Sequence, residues 1–203
     1  MRTIDRMTAG FRAFKAAYYE QRPERVASLV EGQQRPEVAL IACSDSRVDP
    51  AILMRAEPGE LFVIRNVAAL VPPYEPDGSY HGTSAALEFA VADLAVRDIV
   101  VLGHSGCGGV RALVDSRNQD EARRVFIHPW MRMMEHAVGS HDPDPNQVGR
   151  ATVRASLANL RSFPFIAGAE QAGQTNLHGW WFDMAEGALY TLDEASGEFR
   201  RLA

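Results

Sequence analysis

The chain has 203 residues, 46% hydrophobic and 23% charged, which suits one globular domain with its own core. Its net charge of −5 offers no basic field for nucleic acid. No apolar run approaches the roughly 18 residues of a membrane-spanning helix, and no secretory signal is recognisable at the N-terminus. We therefore expect a cytoplasmic protein with no nucleic-acid or membrane partner.

The first part of the chain, about 30 residues, has helical periodicity that Pro23 interrupts. This arm is long for its apolar content. It is either an ordinary covering helix or an arm that packs on another subunit.

Strands and helices are predicted to alternate in the rest of the chain. Apolar runs at 38–42, 61–65 and 98–102 are typical of buried parallel strands, and 177–182 and 188–192 of a terminal strand pair. The predicted helices are 50–55, 83–96, one beginning after Gly109, about 121–138 and about 147–161. The expected fold is a single α/β domain with a mostly parallel central β-sheet flanked by α-helices. Residues 1–32 are its N-terminal helical arm, and residues 33–203 are its core.

The only two cysteines each open a polar turn after an apolar run. Cys43 begins the turn over residues 43–47, and Cys107 lies in the glycine-rich turn over 103–109 with His104. Carboxyl ends of parallel strands are where open sheets place ligand sites. Two thiolates and an imidazole meeting there would form a three-ligand zinc site with a free fourth position.

Other interpretations of these residues stay open from spacing alone. The cysteines could be buried thiols beside a hydrogen-bonded histidine, or a single disulfide. The glycine-rich turn precedes a predicted helix, as phosphate loops do, but it matches no nucleotide fingerprint. Thiol redox chemistry would need a distant resolving partner, because no Cys-x-x-Cys pair exists.

Asp45 and Arg47 lie two residues apart in the first turn. As a surface ion pair they would contribute only about 0–1 kcal/mol. Beside a metal ion the guanidinium would instead keep the carboxylate off the metal and aim a lone pair of that carboxylate at water.

Three segments together resemble the β-class carbonic anhydrases, in their plant-like branch. Residues 43–47 look like the first zinc-ligand motif of that family, residues 103–109 like the second, and residues 57–68 like the segment between them. The resemblance runs without an obvious gap from about Gln34 to Leu113. It implies a lyase that hydrates carbon dioxide reversibly to bicarbonate and a proton.

The resemblance also implies roles for individual residues. One Zn²⁺ per chain would be held by Cys43, His104 and Cys107, and Asp45, with Arg47, would orient the zinc-bound hydroxide that attacks carbon dioxide. The implied substrate-binding residues are Gln34, Phe62, Val67, Phe89 and Gly108. A homodimer or higher homo-oligomer is expected, because such pockets lie near subunit boundaries.

The sequence departs from the family pattern at three positions. Phe89 stands where the plant-like branch often has tyrosine, and Ala69 where asparagine is common. Leu40 replaces a tryptophan that shapes an inhibitory bicarbonate pocket in another branch, so we expect no such pocket here.

Some questions remain open at this stage. A non-catalytic zinc protein and an enzyme acting on a related linear molecule, such as carbon disulfide, are the alternative functions. The histidines conceivable as proton shuttles are His81, His128, His136 and His141, and none is preferred.

Overall fold

In a computed structural model the chain is described over residues 2–115, 124–137 and 144–203. It falls into two compact units, Met1–Arg35 and Pro36–Ala203. The first unit contains α1 (Thr3–Lys15), a π-helical turn (Ala16–Glu20) and α2 (Pro23–Val30). Pro23 is the first residue of α2, where its missing N–H costs no helical hydrogen bond. No side chain of these helices is buried.

The second unit is built on a six-stranded sheet. Its strands are β1 (Val38–Cys43), β2 (Leu61–Asn66), β3 (Asp98–His104), β4 (Asn176–Asp183), β5 (Ala188–Asp193) and β6 (Glu198–Arg201). They lie in the order β2-β1-β3-β4-β5-β6, with the first four parallel and the last two antiparallel to their neighbours. This arrangement confirms the predicted α/β fold with a mostly parallel sheet.

Helices follow the strands. They are α3 (Pro50–Met54), α4 (Gly82–Glu88) continued by a π-helical turn (Phe89–Asp93), α5 (Gly108–Asp115), α6 (Ile127–Arg132), α7 (Pro145–Leu160) and α8 (Pro164–Gln171). Both α3 and α7 begin with proline after an aspartate, and Asp49 and Asp144 accept hydrogen bonds from the first free amides.

The packing of α7 against the sheet requires glycine at one strand position. A Cβ at Gly103 would lie 2.6 Å from Val153 Cγ2 on α7 and 3.0 Å from the Trp181 ring. Because no Cβ intervenes, helix and strand approach closely and bury Val153, Leu157 and Trp181 in one core cluster. This close contact fixes the end of β3, where the turn over residues 103–109 begins.

Some elements differ from the prediction. In place of one helix over about 121–138, the described part of that range contains α6 and a 3₁₀ turn (Glu135–Ala137), and residues 121–123 and 138 lie outside the described residues. Neither α8 nor β6 was predicted. Among the described residues, no helix combines the length and apolarity needed to cross a bilayer.

Candidate metal centre

The first cysteine is the last residue of β1. The parallel register places Cys43 opposite Asn66, the last residue of β2. After Cys43 the chain turns, and the Ser44 amide donates to Asn66 O at 2.8 Å. The sulfur is buried and accepts two backbone N–H groups, from Asp45 at 3.4 Å and from Ala68 at 3.3 Å.

The second turn carries the imidazole and the other thiol. His104 ends β3, and Cys107 directly precedes α5. Between them Gly106 has a φ of 65°, a backbone conformation that favours glycine. His104 Nδ1 donates to Ser105 O at 2.9 Å, which assigns the free lone pair to Nε2. That nitrogen is buried and has no hydrogen-bond partner among the described residues.

The sheet brings the three side chains together. The two sulfurs are 3.9 Å apart, and the ligand atoms of Cys43, His104 and Cys107 all lie within 4.8 Å of one another. Among the described residues this is the one such cluster that could hold a metal ion. Both cysteines are free, so the disulfide is not formed.

The pKa values of the Cys43 and Cys107 thiols suit the binding of a divalent cation. The hydrogen bond with Cys107 lowers the pKa of Cys43, and the two backbone amides add to this effect. The same contact, together with burial, raises the pKa of the Cys107 thiol. One negative charge is therefore easy to form here, and a second needs a compensating cation. A buried imidazole nitrogen without a partner and two adjoining thiols fit a zinc ion, which prefers nitrogen and sulfur donors.

Asp45 and Arg47 form a two-pronged ion pair in the first turn. Arg47 Nε donates to Asp45 Oδ1 at 2.9 Å and Nη2 to Oδ2 at 2.6 Å. Nη2 also donates to Gly106 O at 3.2 Å, so the pair joins the two turns. The hydrogen bond from the Arg47 side chain holds the pKa of Asp45 far below its usual range. The carboxylate therefore stays ionised at any physiological pH.

The structure separates the predicted pocket residues into two groups. Val67 packs in the same cluster as the two cysteines, and Gly108 is the exposed first residue of α5. Phe62 and Phe89 contact each other, with ring centroids 6.0 Å apart, and Phe62 packs against a different cluster.

The strand register separates Phe62 from Cys43. Phe62 is opposite Ala39, four residues before the pair Cys43 and Asn66, or about 13 Å along the strand. Gln34 is exposed and belongs to the first unit. The substrate-binding role of all five residues remains a prediction.

Sequence reasoning assigned no role to several residues that support the turns. Trp130 Nε1 donates to Val67 O at 2.8 Å, and Asn146 Oδ1 accepts the Gly106 amide at 3.1 Å. Arg65 contacts the first turn through three hydrogen bonds and Asp49 through a fourth. A signal existed only for Arg65, which lies inside the segment that resembles the family. Trp130 and Asn146 lie outside every motif.

Comparisons with known proteins define the class. The family model described as carbonic anhydrase matches residues 38–189. A carbonic anhydrase of Pseudomonas aeruginosa is 42% identical over 202 residues, covering 96% of this chain and 90% of the relative. The chloroplastic β-carbonic anhydrase 5 of Arabidopsis thaliana is 35% identical over 209 residues, covering 98% of this chain and 68% of the relative.

Solved structures of β-carbonic anhydrases are also similar to this chain. The β-carbonic anhydrase CcaA superposes with a TM-score of 0.87 at 28% identity, covering 98% of this chain and all of the other. One of two tetrameric β-carbonic anhydrases of Sordaria macrospora superposes with a TM-score of 0.80 at 27% identity, covering 94% of this chain and 97% of the other. This chain belongs to the β-class carbonic anhydrases, and the prediction that it is such an enzyme is confirmed.

Proposed function

We propose that the chain hydrates carbon dioxide reversibly to bicarbonate and a proton at one zinc ion held by Cys43, His104 and Cys107. The observation that carries the proposal is the buried His104 Nε2, which has no hydrogen-bond partner in the described ranges, beside two free sulfurs. Zinc bound by these side chains would supply Lewis-acid chemistry that makes water acidic near neutral pH. Because two thiolates offset its charge, we expect activity to favour mildly alkaline pH.

Asp45 has one acceptor position left for the reaction. Its Oδ1 accepts from the Arg47 amide and from Nε, whereas Oδ2 accepts only Nη2 among the described residues. A carboxylate oxygen offers about two lone-pair sites, so Oδ2 keeps one of them free. That lone pair would accept a hydrogen bond from the nucleophilic water and orient its oxygen towards carbon dioxide. Arg47 would hold the carboxylate in this direction and away from the zinc ligands.

We propose that the substrate pocket is completed by a second copy of the chain. Phe62 lies about 13 Å along the strand register from Cys43 of its own chain, and Phe89 contacts Phe62, which supports a pocket shared between copies. Phe89 is 42% exposed, so part of its ring surface is available for contact with a second copy. Together with Gln34, Val67 and Gly108, these residues would bind the substrate.

The same proposal includes the N-terminal helical arm and the homo-oligomer. Residues 1–32 would form an arm exchanged between copies, because Ile4, Met7 and Phe11 are each more than half exposed. Residues 33–203 would form the zinc-binding core. The tetrameric state of the Sordaria macrospora enzymes supports a homo-oligomer here. Two free cysteines favour a reducing compartment such as the cytoplasm.

Stopped-flow carbon dioxide hydration tests the function. The purified full chain is assayed as isolated, after removal of metal with a chelator, and after addition of one equivalent of zinc. We expect activity to be lost with the metal and restored with zinc, and Cys107→Ser to bind none. Activity independent of metal would contradict the proposal. One zinc per chain with no turnover of carbon dioxide would identify a non-catalytic zinc protein. A parallel assay with carbon disulfide tests whether this related linear molecule is the substrate.

A further inference from the structure

Arg65 lies on β2 but its side chain serves the turn that follows β1. In the strand register it is opposite Ala42, one residue before Cys43. Its Nε and Nη2 donate to Cys43 O at 3.0 and 2.8 Å, and Nη2 also donates to Asp45 O at 2.8 Å. One guanidinium therefore binds the carbonyls on both sides of Ser44.

Those carbonyls belong to the two residues with separate proposed tasks, metal ligation by Cys43 and orientation of water by Asp45. Cys43 is already fixed by its strand and its burial. Asp45 lies in a turn where Ser44, Ser46 and Arg47 are exposed. Apart from Arg65, the carbonyl of Asp45 accepts, within the described part of the chain, only the more distant Val48 amide, at 3.2 Å. Arg65 is therefore the stronger anchor of the Asp45 backbone.

Asp49 holds the guanidinium from its other side. Arg65 Nη1 donates to Asp49 Oδ2 at 2.8 Å, while Oδ1 of the same carboxylate caps α3. The Arg65 side chain is 27% exposed, so water competes only partly for these contacts. Three nitrogens of one rigid plane reach three different acceptor oxygens, which the single ammonium of lysine cannot reproduce.

We propose that Arg65 is a positioning residue for the reaction, acting through Asp45. It fixes the peptide that carries Asp45, as Arg47 fixes the carboxylate itself. This inference rests on the proposed function, because it gives Arg65 a purpose only if Asp45 orients the nucleophile.

A double-mutant cycle tests the inference. The variants are Arg65→Gln, Asp45→Asn and the double variant, each loaded with zinc and assayed for kcat/KM of carbon dioxide hydration. Arg154→Gln is the matched control, because Arg154 binds Gly197 O through the same two nitrogens, at 3.0 and 2.7 Å, in the turn between β5 and β6. Arg65→Lys keeps the charge, loses the fork, and serves as a second variant if Arg65→Gln does not fold.

We expect Arg65→Gln to lower kcat/KM about 10–100-fold, the usual effect of removing a group that supports a metal site. Arg65→Lys should fall between it and the parent chain, and Arg154→Gln should match the parent. In the Asp45→Asn background the loss of Arg65 should cost less than about threefold, because residues that act through one another are not additive. An Arg65→Gln variant within twofold of the parent, or multiplicative losses in the cycle, would overturn the inference.

Cobalt substitution gives a readout independent of turnover. The thiolate-to-metal absorption should be the same in Arg65→Gln as in the parent chain, because Arg65 touches no ligand atom. Its loss would mean that Arg65 supports the ligand set rather than Asp45, and the inference would be wrong. Failure of the proposed function is a different result, since the parent chain itself would then show no zinc-dependent activity.

Discussion

At the scale of single residues, Asp45 has the most specific proposed task, and Asp45→Asn is the variant that isolates it. The substitution keeps the shape of the side chain but removes the charge that faces Arg47. We expect one zinc per chain to remain, because the ligands are untouched, and kcat/KM to fall about 100-fold or more. Metal analysis and stopped-flow assay of one preparation check both. Full turnover in the variant would contradict the role of the carboxylate.

We expect Arg47 to orient the Asp45 carboxylate rather than to keep it ionised. The pH dependence of kcat/KM distinguishes these two effects. Arg47 lowers the pKa of Asp45, but the ordinary value of an aspartate, about 3.9, already leaves it ionised at neutral pH. Arg47→Gln should therefore reduce kcat/KM by a factor that is constant between about pH 6.5 and 9. Assays across that range measure the ratio to the parent chain. A loss that disappears at alkaline pH would show that ionisation was the limiting property.

The residue scale also shows what a sequence can predict of this site. The convergence of Cys43, His104 and Cys107 followed from turns at the ends of two predicted parallel strands, and the structure brings the three together. That they bind zinc stays a prediction. The amide of Ala68 that reaches Cys43 Sγ could not be foreseen, because it depends on a backbone with φ of 67° at Ala68 itself.

At the scale of elements, the helix that ends before β3 carries a strained residue. Ala95 is exposed and has a φ of 50°, and the Val96 amide donates to Ala90 O in the pattern of a left-handed helix terminus. Glycine at this position would avoid a steric cost of about 1–2 kcal/mol, because the left-handed conformation does not strain it. Glycine would also lower the stability by about 0.4–1 kcal/mol, because it gives the unfolded chain more conformational entropy.

We therefore expect Ala95→Gly to stabilise the protein by about 0.5–1 kcal/mol. Ala92→Gly is the control, an exposed site within the preceding π-helical turn, where glycine should instead destabilise by a similar amount. Urea unfolding at one protein concentration gives both free energies. The same sign for both substitutions would refute the explanation.

Element prediction succeeded where burial leaves a periodic signal and failed where it does not. The strands β1 and β3 are almost wholly buried, and their apolar runs located them to within about two residues. Strand β6 is short and charged with one aromatic residue, Phe199, and depends on its pairing with β5. Pairing across a sheet is a tertiary contact that local periodicity does not report.

At the scale of the whole molecule, Arg161 ties three distant segments together. From the end of α7 it binds Glu170 on α8 and Glu194 in the turn between β5 and β6, with the shortest contact to each at 2.7 Å. The hydrogen bond from Arg161 lowers the pKa of Glu194. A carboxylate with a lowered folded pKa stabilises the protein above its unfolded pKa, near 4.3, and that stabilisation is lost as the pH falls through the folded value.

Arg161→Gln should therefore cost about 1 kcal/mol at pH 7, a modest value because these side chains are partly exposed to solvent. The difference from the parent chain should be constant from pH 7 to about 5 and shrink below about 4. Urea unfolding of both proteins at matched pH gives this difference. A difference that grows on acidification would contradict the assignment.

The sequence does not predict how copies of the chain assemble around the site. The resemblance marked Phe62, Phe89 and the cysteines as one site, but the fold of a single chain places Phe62 four residues along the sheet from Cys43, with Phe89 against it. No pattern in one sequence states which copy supplies a residue, because every copy has the same pattern. The α/β fold was predictable from local periodicity, and the proposed sharing of the pocket between copies was not.

The central claim is that two sulfurs and one imidazole hold a single divalent ion with a place left for a small oxygen ligand. X-ray absorption at the zinc edge of the purified full chain tests it most directly. We predict one zinc per chain with two sulfur neighbours at about 2.3 Å and two lighter neighbours at about 2.0–2.1 Å. Absence of zinc, four sulfur neighbours, or a disulfide between Cys43 and Cys107 in the fresh protein would contradict the account.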